Sequence, residues 1–433
     1  MRLVGFAGLI ALLAALVAPA RAHAATPVCG QPNNYQTKSC YIDPTLDPNA
    51  LCDDGTTPAF WVRPGYGSGI NTWLIWFGGG GACESQAACA SYVAHNSAPQ
   101  LESSNGFLPT PGNGITSSSQ TENPVLYNAN TIYLHYCTSD TWAGSKRGTG
   151  TYNQLDSNTW NFEGRRNATA FIKSIGELLP QFANAQEIIL GGDSSGGVGV
   201  VEVANDVIPL LPPAALKLMV VDAGYMIDFP AYDSSVPQIF ESPQVPDFFE
   251  SDIENERFPY WNARGDSVCD SQATTVTQHM ECYNTAYILA NGYITIPTFV
   301  ANSLLDTSQV TQELCPTEFG YCPFTTNPNT PEGVWEAEFG AAAENDIIGA
   351  GTSGNFTSFA PDFFMHVILN NDQDFITPLQ FPQGMVAPVT AFDAWLANPL
   401  ATPVTNIGSG PGVSPSSASP HKVFRRLLPL VKG

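Results

Sequence analysis

The chain has 433 residues, 43% hydrophobic and only 13% charged, with 39 acidic residues against 16 Lys and Arg. That apolar content suffices for a large core and excludes a disordered chain. The formal net charge of -23 argues against nucleic acid as a partner, since phosphate binding needs a basic face, and against docking on an anionic membrane.

Residues 1–24 read as a secretory signal peptide. Arg2 supplies the positive start, residues 9–17 form an apolar run too short for a stable membrane anchor, and Ala22-His23-Ala24 is an A-x-A cleavage site, with Ala20-Arg21-Ala22 as a second candidate. No later stretch is apolar enough to cross a membrane, so a soluble, secreted or periplasmic mature protein is expected. Export makes the ten cysteines (Cys29, Cys40, Cys52, Cys83, Cys89, Cys137, Cys269, Cys282, Cys315 and Cys322) read as disulfides rather than metal ligands or free thiols. Sequence does not fix their connectivity; Cys269 with Cys282 and Cys315 with Cys322 are the simplest local pairs. Cys315 and Cys322 have six residues between them and no nearby His, which does not suit a zinc knuckle.

Residues 26–72 are rich in Pro, Asn, Asp, Gly and Cys and predict an irregular, disulfide-tied lead-in. From residue 73 the texture changes. Short apolar runs at 73–77, 131–136, 187–190, 216–221 and 296–300 predict buried strands. Between them, residues 165–179 carry Ala168, Phe171, Ile172, Ile175, Leu178 and Leu179 at helical spacing. Strands alternating with helices predict an α/β fold of the α/β-hydrolase type, a mostly parallel central sheet with helices on both faces. Residues 25–404 are expected to form one catalytic domain. Within it, 225–261 is dense in aromatics and carboxylates. It reads equally as a cap or substrate loop over a cleft (225–265 at the widest) and as a surface excursion anchored by its rings. Residues 405–433 read as a flexible Gly/Ser/Pro linker and a tail with Lys422, Arg425, Arg426 and Lys432.

The strongest chemical signal is Gly192-Asp193-Ser194-Ser195-Gly196, which fits G-x-S-x-G after an apolar strand and before a helix-compatible stretch, 198–208. A serine on a sharp strand-to-helix turn needs small residues two before and two after it. Ser195 is a rival nucleophile but better supplies an oxyanion N–H. The second signal is Gly78-Gly79-Gly80-Gly81 directly after the strand 73–77. Its backbone can turn N–H groups toward a developing oxyanion; no G-K-[ST] follows, so a phosphate loop is disfavoured. A serine nucleophile needs a base and a carboxylate to orient it. Of the six histidines, His23, His95 and His135 precede the serine and His421 lies in the tail, leaving His279 and His366. Asp306 ends the strand-like stretch 294–305 and precedes His366, so the set consistent with the order Ser, acid, His is Ser194, Asp306 and His366. Other readings stay open: His366 as a core histidine, Asp306 as a helix cap before Gln309, and Asp222, Asp372 or Asp374 as the acid.

With these residues in view, 73–395 resembles the pectin acetylesterase/Notum family of secreted serine carboxylesterases. Trp73-Leu74-Ile75-Trp76-Phe77-Gly78-Gly79-Gly80-Gly81-Ala82-Cys83 looks like its strand, glycine loop and cysteine, and 133–138 with Gly144 like its RYCDG…G stretch. Asn161-Phe162-Glu163-Gly164-Arg165-Arg166 resembles its F-x-G-x-R, 192–199 its G-x-S-A-G-G, and 211–228 its LP…SDAGxFxD. The resemblance places the catalytic Asp at Asp306 and the base at His366. It implies oxyanion donors at the N–H groups of Gly80, Gly81 and Ser195. Departures are Gly78 for the usual Glu, Ala82 for an aromatic, Ser195 for Ala, and no cysteine in 362–365. The implied function is hydrolysis of an acetyl ester on a cell-wall polysaccharide such as pectin, or of a fatty acyl ester on a protein as in the Notum branch. A lipase or polyester depolymerase on the same scaffold, and a non-catalytic binding protein, are the alternatives. The acidity leans toward less charged esters, though screening limits repulsion from a polyanion to about 8–10 Å. No cofactor and no metal are expected, and the protein is expected to be a monomer.

Overall fold

The structure, a computed structural model, describes residues 29–33, 36–95, 102–229, 258–310, 330–353 and 356–408. In chain order the strands are β1 (Lys38–Tyr41), β2 (Ala59–Arg63), β3 (Thr72–Phe77), β4 (Asn130–Leu134), β5 (Glu187–Asp193), β6 (Leu216–Asp222) and β7 (Thr298–Ala301). They continue with β8 (Leu305–Asp306), β9 (Phe356–Ala360), β10 (Phe364–Met365), β11 (Leu379–Phe381), β12 (Gly384–Val386) and β13 (Thr405–Ile407). Nine of them form one sheet in the order β1-β2-β4-β3-β5-β6-β7-β9-β13. From β4 to β13 every pairing is parallel, while β1 and β2 join antiparallel. This is the expected α/β-hydrolase-like architecture.

The central strands are apolar throughout because both faces of the sheet are covered. Alternate residues of β3 enter two separate cores: Trp73, Ile75 and Phe77 on one face, Leu74 and Trp76 on the other. The helix Gly164–Leu178 lays Ala168, Phe171, Ile172 and Ile175 on the first face, each large side chain contributing about 1.5–3 kcal/mol by burial. On the second face the helix Pro388–Ala397 packs Phe392 and Trp395 against Phe299 of β7, at 5.6 and 5.5 Å between ring centroids. All five predicted strands are present, with shifted ends. β5 runs three residues beyond the expected stop because β3 and β6 offer partners on both sides, pairing Gly191 with Trp76 and Asp193 with Asp222.

Two boundaries differ from expectation. The lead-in is not wholly irregular: β1 and β2 extend the sheet, and β2 pairs along β4 from Arg63↔Thr131 to Phe60↔Leu134. The linker was expected from 405, but Thr405–Ile407 pair in parallel with β9, so the sheet carries one strand more than the 25–404 boundary allowed. Disulfides join Cys29–Cys40, Cys52–Cys137, Cys83–Cys89 and Cys269–Cys282, the last as expected. The signal segment, Cys315 and Cys322, the tail after 408 and the stretch 230–257 lie outside the described residues. Both ends of the aromatic segment are anchored. Tyr225 donates to Asp346, Phe229 packs on Phe339 at 5.5 Å, and the Trp261 indole N–H donates to the Cys83 carbonyl at 2.7 Å. Among the described residues no helix is long and apolar enough to cross a membrane.

Candidate active site

β5 ends at Asp193 and a helix starts at Ser195, leaving Ser194 between them with φ 55° and ψ -127°. A residue with a Cβ rarely adopts that conformation, and holding it costs on the order of 1–3 kcal/mol. The glycines explain how the turn closes. A Cβ on Gly192 would lie 2.2 Å from the Gly196 carbonyl oxygen, and one on Gly196 only 2.0 Å from that of Phe77. The Ser194 N–H donates to the Asp222 carbonyl at 2.9 Å, and the Val198 N–H to the Ser194 carbonyl at 3.0 Å, which starts the helix.

Two short strands bring the other residues in. β10 pairs in parallel with β8, setting Met365 opposite Asp306, so the next residue, His366, falls beside the carboxylate. His366 Nδ1 lies 2.9 and 3.1 Å from the two Asp306 oxygens, and its Nε2 lies 2.8 Å from Ser194 Oγ. A carboxylate only accepts, so Nδ1 carries the proton and Nε2 is left to accept from the Ser194 hydroxyl. The His366 side chain is 18% exposed, with both ring nitrogens engaged, by Ser194 and by Asp306. Asp306 is buried and also accepts from the N–H groups of Ser308 and Gln309 at 2.9 and 3.1 Å. The helix-cap reading and the pairing with His366 therefore coincide in one side chain. Burial opposes a charge on His366, but the Asp306 carboxylate and its hydrogen bond, with Asp222 and Asp193 behind, outweigh it and raise the imidazole above its ordinary range.

The rival acids have other work. Asp222, fully buried at the end of β6, accepts from the backbone N–H groups of Ile368, Leu369 and Asn370 at 2.8, 2.8 and 2.9 Å. Burial pushes its carboxyl up to about 7 against those three donors. Asp372 accepts from the Gly114 N–H at 2.6 Å, and Asp374 sits in the helix Asp372–Ile376. Asp193, the variable residue of the serine motif, accepts from the Trp76 indole and, at 3.0 Å, from Asn370 Nδ2; burial raises its carboxyl. The loop after His366 is further held by Ile115 N–H to the Leu369 carbonyl at 2.8 Å and by Thr116 Oγ1 to Asn370 Oδ1 at 3.0 Å. Val367, β-branched, is forced to φ 63° in this loop. Sequence reasoning weighed Asp222 only as a catalytic acid and passed over Asp193 and Asn370; no periodicity or motif marks a carboxylate that serves backbone amides far along the chain. Two other histidines are placed elsewhere: His135 Nε2 meets the Ser103 carbonyl at 2.9 Å and His279 Nδ1 meets Asp270 at 2.5 Å.

The glycine loop 78–81 leaves β3 directly against the serine turn. A Cβ on Gly79 would lie 2.9 Å from that of Ser194. Gly81 takes φ 78°, and its carbonyl accepts the Ser195 hydroxyl at 3.0 Å. The Gly78 carbonyl accepts from the Trp142 indole at 3.1 Å. At Gly78 a Cβ would stand 2.7 Å from the Tyr133 hydroxyl, so the tyrosine occupies the space a side chain there would need.

A parallel sheet with a serine on a strained strand-to-helix turn, facing a carboxylate-paired histidine from later strands, defines the α/β-hydrolase class. The sequence profile described as Pectinacetylesterase matches residues 31–404, and the chain belongs to that family. It is 30% identical over 189 residues to "Pectin acetylesterase 7" of Arabidopsis thaliana, covering 43% of this chain and 45% of the relative. It is 29% identical over 214 residues to "Palmitoleoyl-protein carboxylesterase notum2" of Xenopus laevis, covering 47% and 39%. To "Palmitoleoyl-protein carboxylesterase NOTUM" of Homo sapiens it is 28% identical over 279 residues, covering 61% and 51%. The chain thus spans about half the length of the curated relatives it matches, or less.

Proposed function

We propose that the protein is an exported carboxylic ester hydrolase in which Ser194 is the nucleophile, His366 the base and Asp306 the orienting acid. The observation that carries this reading is the relay of contacts, Ser194 Oγ to His366 Nε2 at 2.8 Å and His366 Nδ1 to Asp306 at 2.9 Å. Ser194 Oγ attacks the ester carbonyl carbon as its proton passes to Nε2. The carbonyl electrons move onto oxygen, where the N–H groups of Gly80, Gly81 and Ser195 receive the negative charge, each donor worth about 3 kcal/mol. Collapse expels the alcohol, which takes the proton from His366. Water then repeats the sequence on the acyl-enzyme and frees the acid. Asp306 holds the tautomer and stabilises the imidazolium without taking the proton.

The favoured substrate is an acetyl ester of a cell-wall polysaccharide such as pectin, in line with the family and with relatives named pectin acetylesterases. The net charge of -23 favours sparsely charged stretches of such a polymer over its polyanionic ones. The four disulfides among the described residues suit an oxidising, extracytoplasmic compartment. The test measures fluorophosphonate labelling together with acetate release from pectin and xylan and cleavage of longer acyl esters. Ser194→Ala and His366→Ala are each expected to remove turnover by on the order of 10⁴-fold or more while the protein stays folded. Labelling that persists in Ser194→Ala would falsify the assignment, and a preference for long acyl chains would replace the polysaccharide substrate by a lipid-like one.

A further inference from the structure

Asp222 touches neither Ser194 Oγ nor the His366 ring, yet both residues are referenced to it. Its main-chain carbonyl accepts the Ser194 N–H at 2.9 Å, and its carboxylate accepts three consecutive N–H groups just after His366 at 2.8, 2.8 and 2.9 Å. It lies at the end of β6, opposite Asp193 in the β5–β6 register, so the strand that ends at the nucleophile is its direct neighbour. The loop 366–370 carries only the two-residue strand β10 before it, and Val367 within it is held at φ 63°. Such a loop keeps one conformation only when surrounding contacts over-determine it. A fully buried carboxylate with several aligned N–H donors is a stiff anchor, since no water competes for the bonds.

We propose that Asp222 is a positioning residue that sets the distance between nucleophile and base, gripping the serine turn through its carbonyl and the His366 loop through its carboxylate. The proposal rests on the esterase reading above. An asparagine here would keep one acceptor oxygen and turn an NH₂ group toward N–H donors, leaving at least one amide without an acceptor. The His366 ring would then drift, and a displacement near 1 Å is enough to lower the rate about 10²-fold.

The experiment follows Asp222→Asn with p-nitrophenyl acetate and with fluorophosphonate labelling. We expect kcat to fall about 10²-fold with KM little changed, the labelling rate to fall in step, and thermal unfolding to stay cooperative. In a His366→Ala background, Asp222→Asn should lower the residual rate no further, because a residue acting through His366 has nothing left to act on. A folded Asp222→Asn with parental kcat overturns the proposal, as does an undiminished loss in the His366→Ala background. If Asp222→Asn does not fold, Asp222→Ser takes its place, because it removes the carboxylate that holds the His366 loop and leaves the main-chain carbonyl that takes the Ser194 N–H. A lowered kcat at constant KM supports the proposal there, and parental kcat overturns it. Failure of the esterase reading is separately visible as Ser194→Ala retaining full turnover, whatever the Asp222 variants do.

Discussion

The turn that presents Ser194 and the loop that presents His366 meet at 2.8 Å and are built in opposite ways. The serine turn is local: an apolar strand, two glycines that let backbones touch, and a helix starting at once. Its strained φ is imposed by its own neighbours together with the Asp222 carbonyl that takes the Ser194 N–H. The histidine loop has almost no regular structure, and its shape is imposed from outside by Asp222, Asp193, Ile115 and Thr116. The first device tolerates no added atoms and takes one long-range tie, the Ser194 N–H to the Asp222 carbonyl. The second depends on buried carboxylates, whose desolvation is offset only while the amides they serve remain in place.

This contrast can be broken most forcefully at Gly196. A Cβ there meets the Phe77 carbonyl oxygen at 2.0 Å, so Gly196→Val is expected to abolish folded, active protein, read by circular dichroism melting and turnover; a normal melt with normal activity would show that the turn does not need its close packing on β3. Asp306→Asn comes next. The amide oxygen can still cap Ser308 and Gln309 but no longer holds the right tautomer, so kcat should fall by on the order of 10³–10⁴ with little change in melting. Asp306→Ala should in addition lose the cap, on the order of 0.5–2 kcal/mol. An equal loss of stability in both variants would mean that the two roles are not separable.

The pH response sharpens the contrast further. An imidazolium cannot accept the Ser194 proton, so kcat should fall as pH drops through the raised titration of His366, starting above its ordinary 6.5. Stability should run the other way. Burial raises Asp140 to about 6 and Glu163 to about 7, and raises Asp53 well above 3.8. A carboxyl whose folded pKa is raised contributes its stability below the unfolded value and loses it as pH rises through the folded one. Melting temperature should therefore decline between about pH 4 and 7 while activity climbs, and a melting temperature that rises across this window contradicts the buried-carboxylate account. The smallest effect is expected at Val367→Gly. Relief of the positive φ is set against a floppier unfolded chain, so melting should barely move while kcat drops a few-fold. A large gain in stability with full activity would show that the loop needs no external restraint.

The same contrast explains what could be read in the sequence. The five apolar runs, the helix Gly164–Leu178 and the serine turn are written in consecutive residues, so periodicity and spacing were enough. Asp306 and His366 could be chosen only by chain order, because the pairing that brings them together is two residues long on each side, β8 with β10. β13 hides in a Gly/Ser/Pro-rich stretch and is a strand because β9 offers an open edge, not because Thr405, Asn406 and Ile407 demand it. β1 and β2 were concealed by the prolines and cysteines around them. The helix Pro331–Ser353 drew no notice, its apolar residues showing no clear one-sided stripe. The service of Asp222 to three amides nearly 150 positions away leaves no local trace.

One covalent link reaches toward the site from the far side. Cys52–Cys137 closes a separation of 85 residues, and in the chain-entropy picture a loop of that size restricts the unfolded state by about 4–5 kcal/mol. The segment it anchors goes on to accept the Cys83 N–H at the Ser139 carbonyl, at 3.1 Å, and to place the Trp142 indole on the Gly78 carbonyl. The glycine loop is thus coupled to a thiol–disulfide pair, whereas Ser194 and His366 are tied through Asp193 and Asp222. In a reducing environment the glycine loop would lose part of that support while the contact between Ser194 and His366 kept its own anchors. On the proposed mechanism, reduction of Cys52–Cys137 would weaken charge stabilisation by the glycine loop before it disturbs the contact between Ser194 and His366.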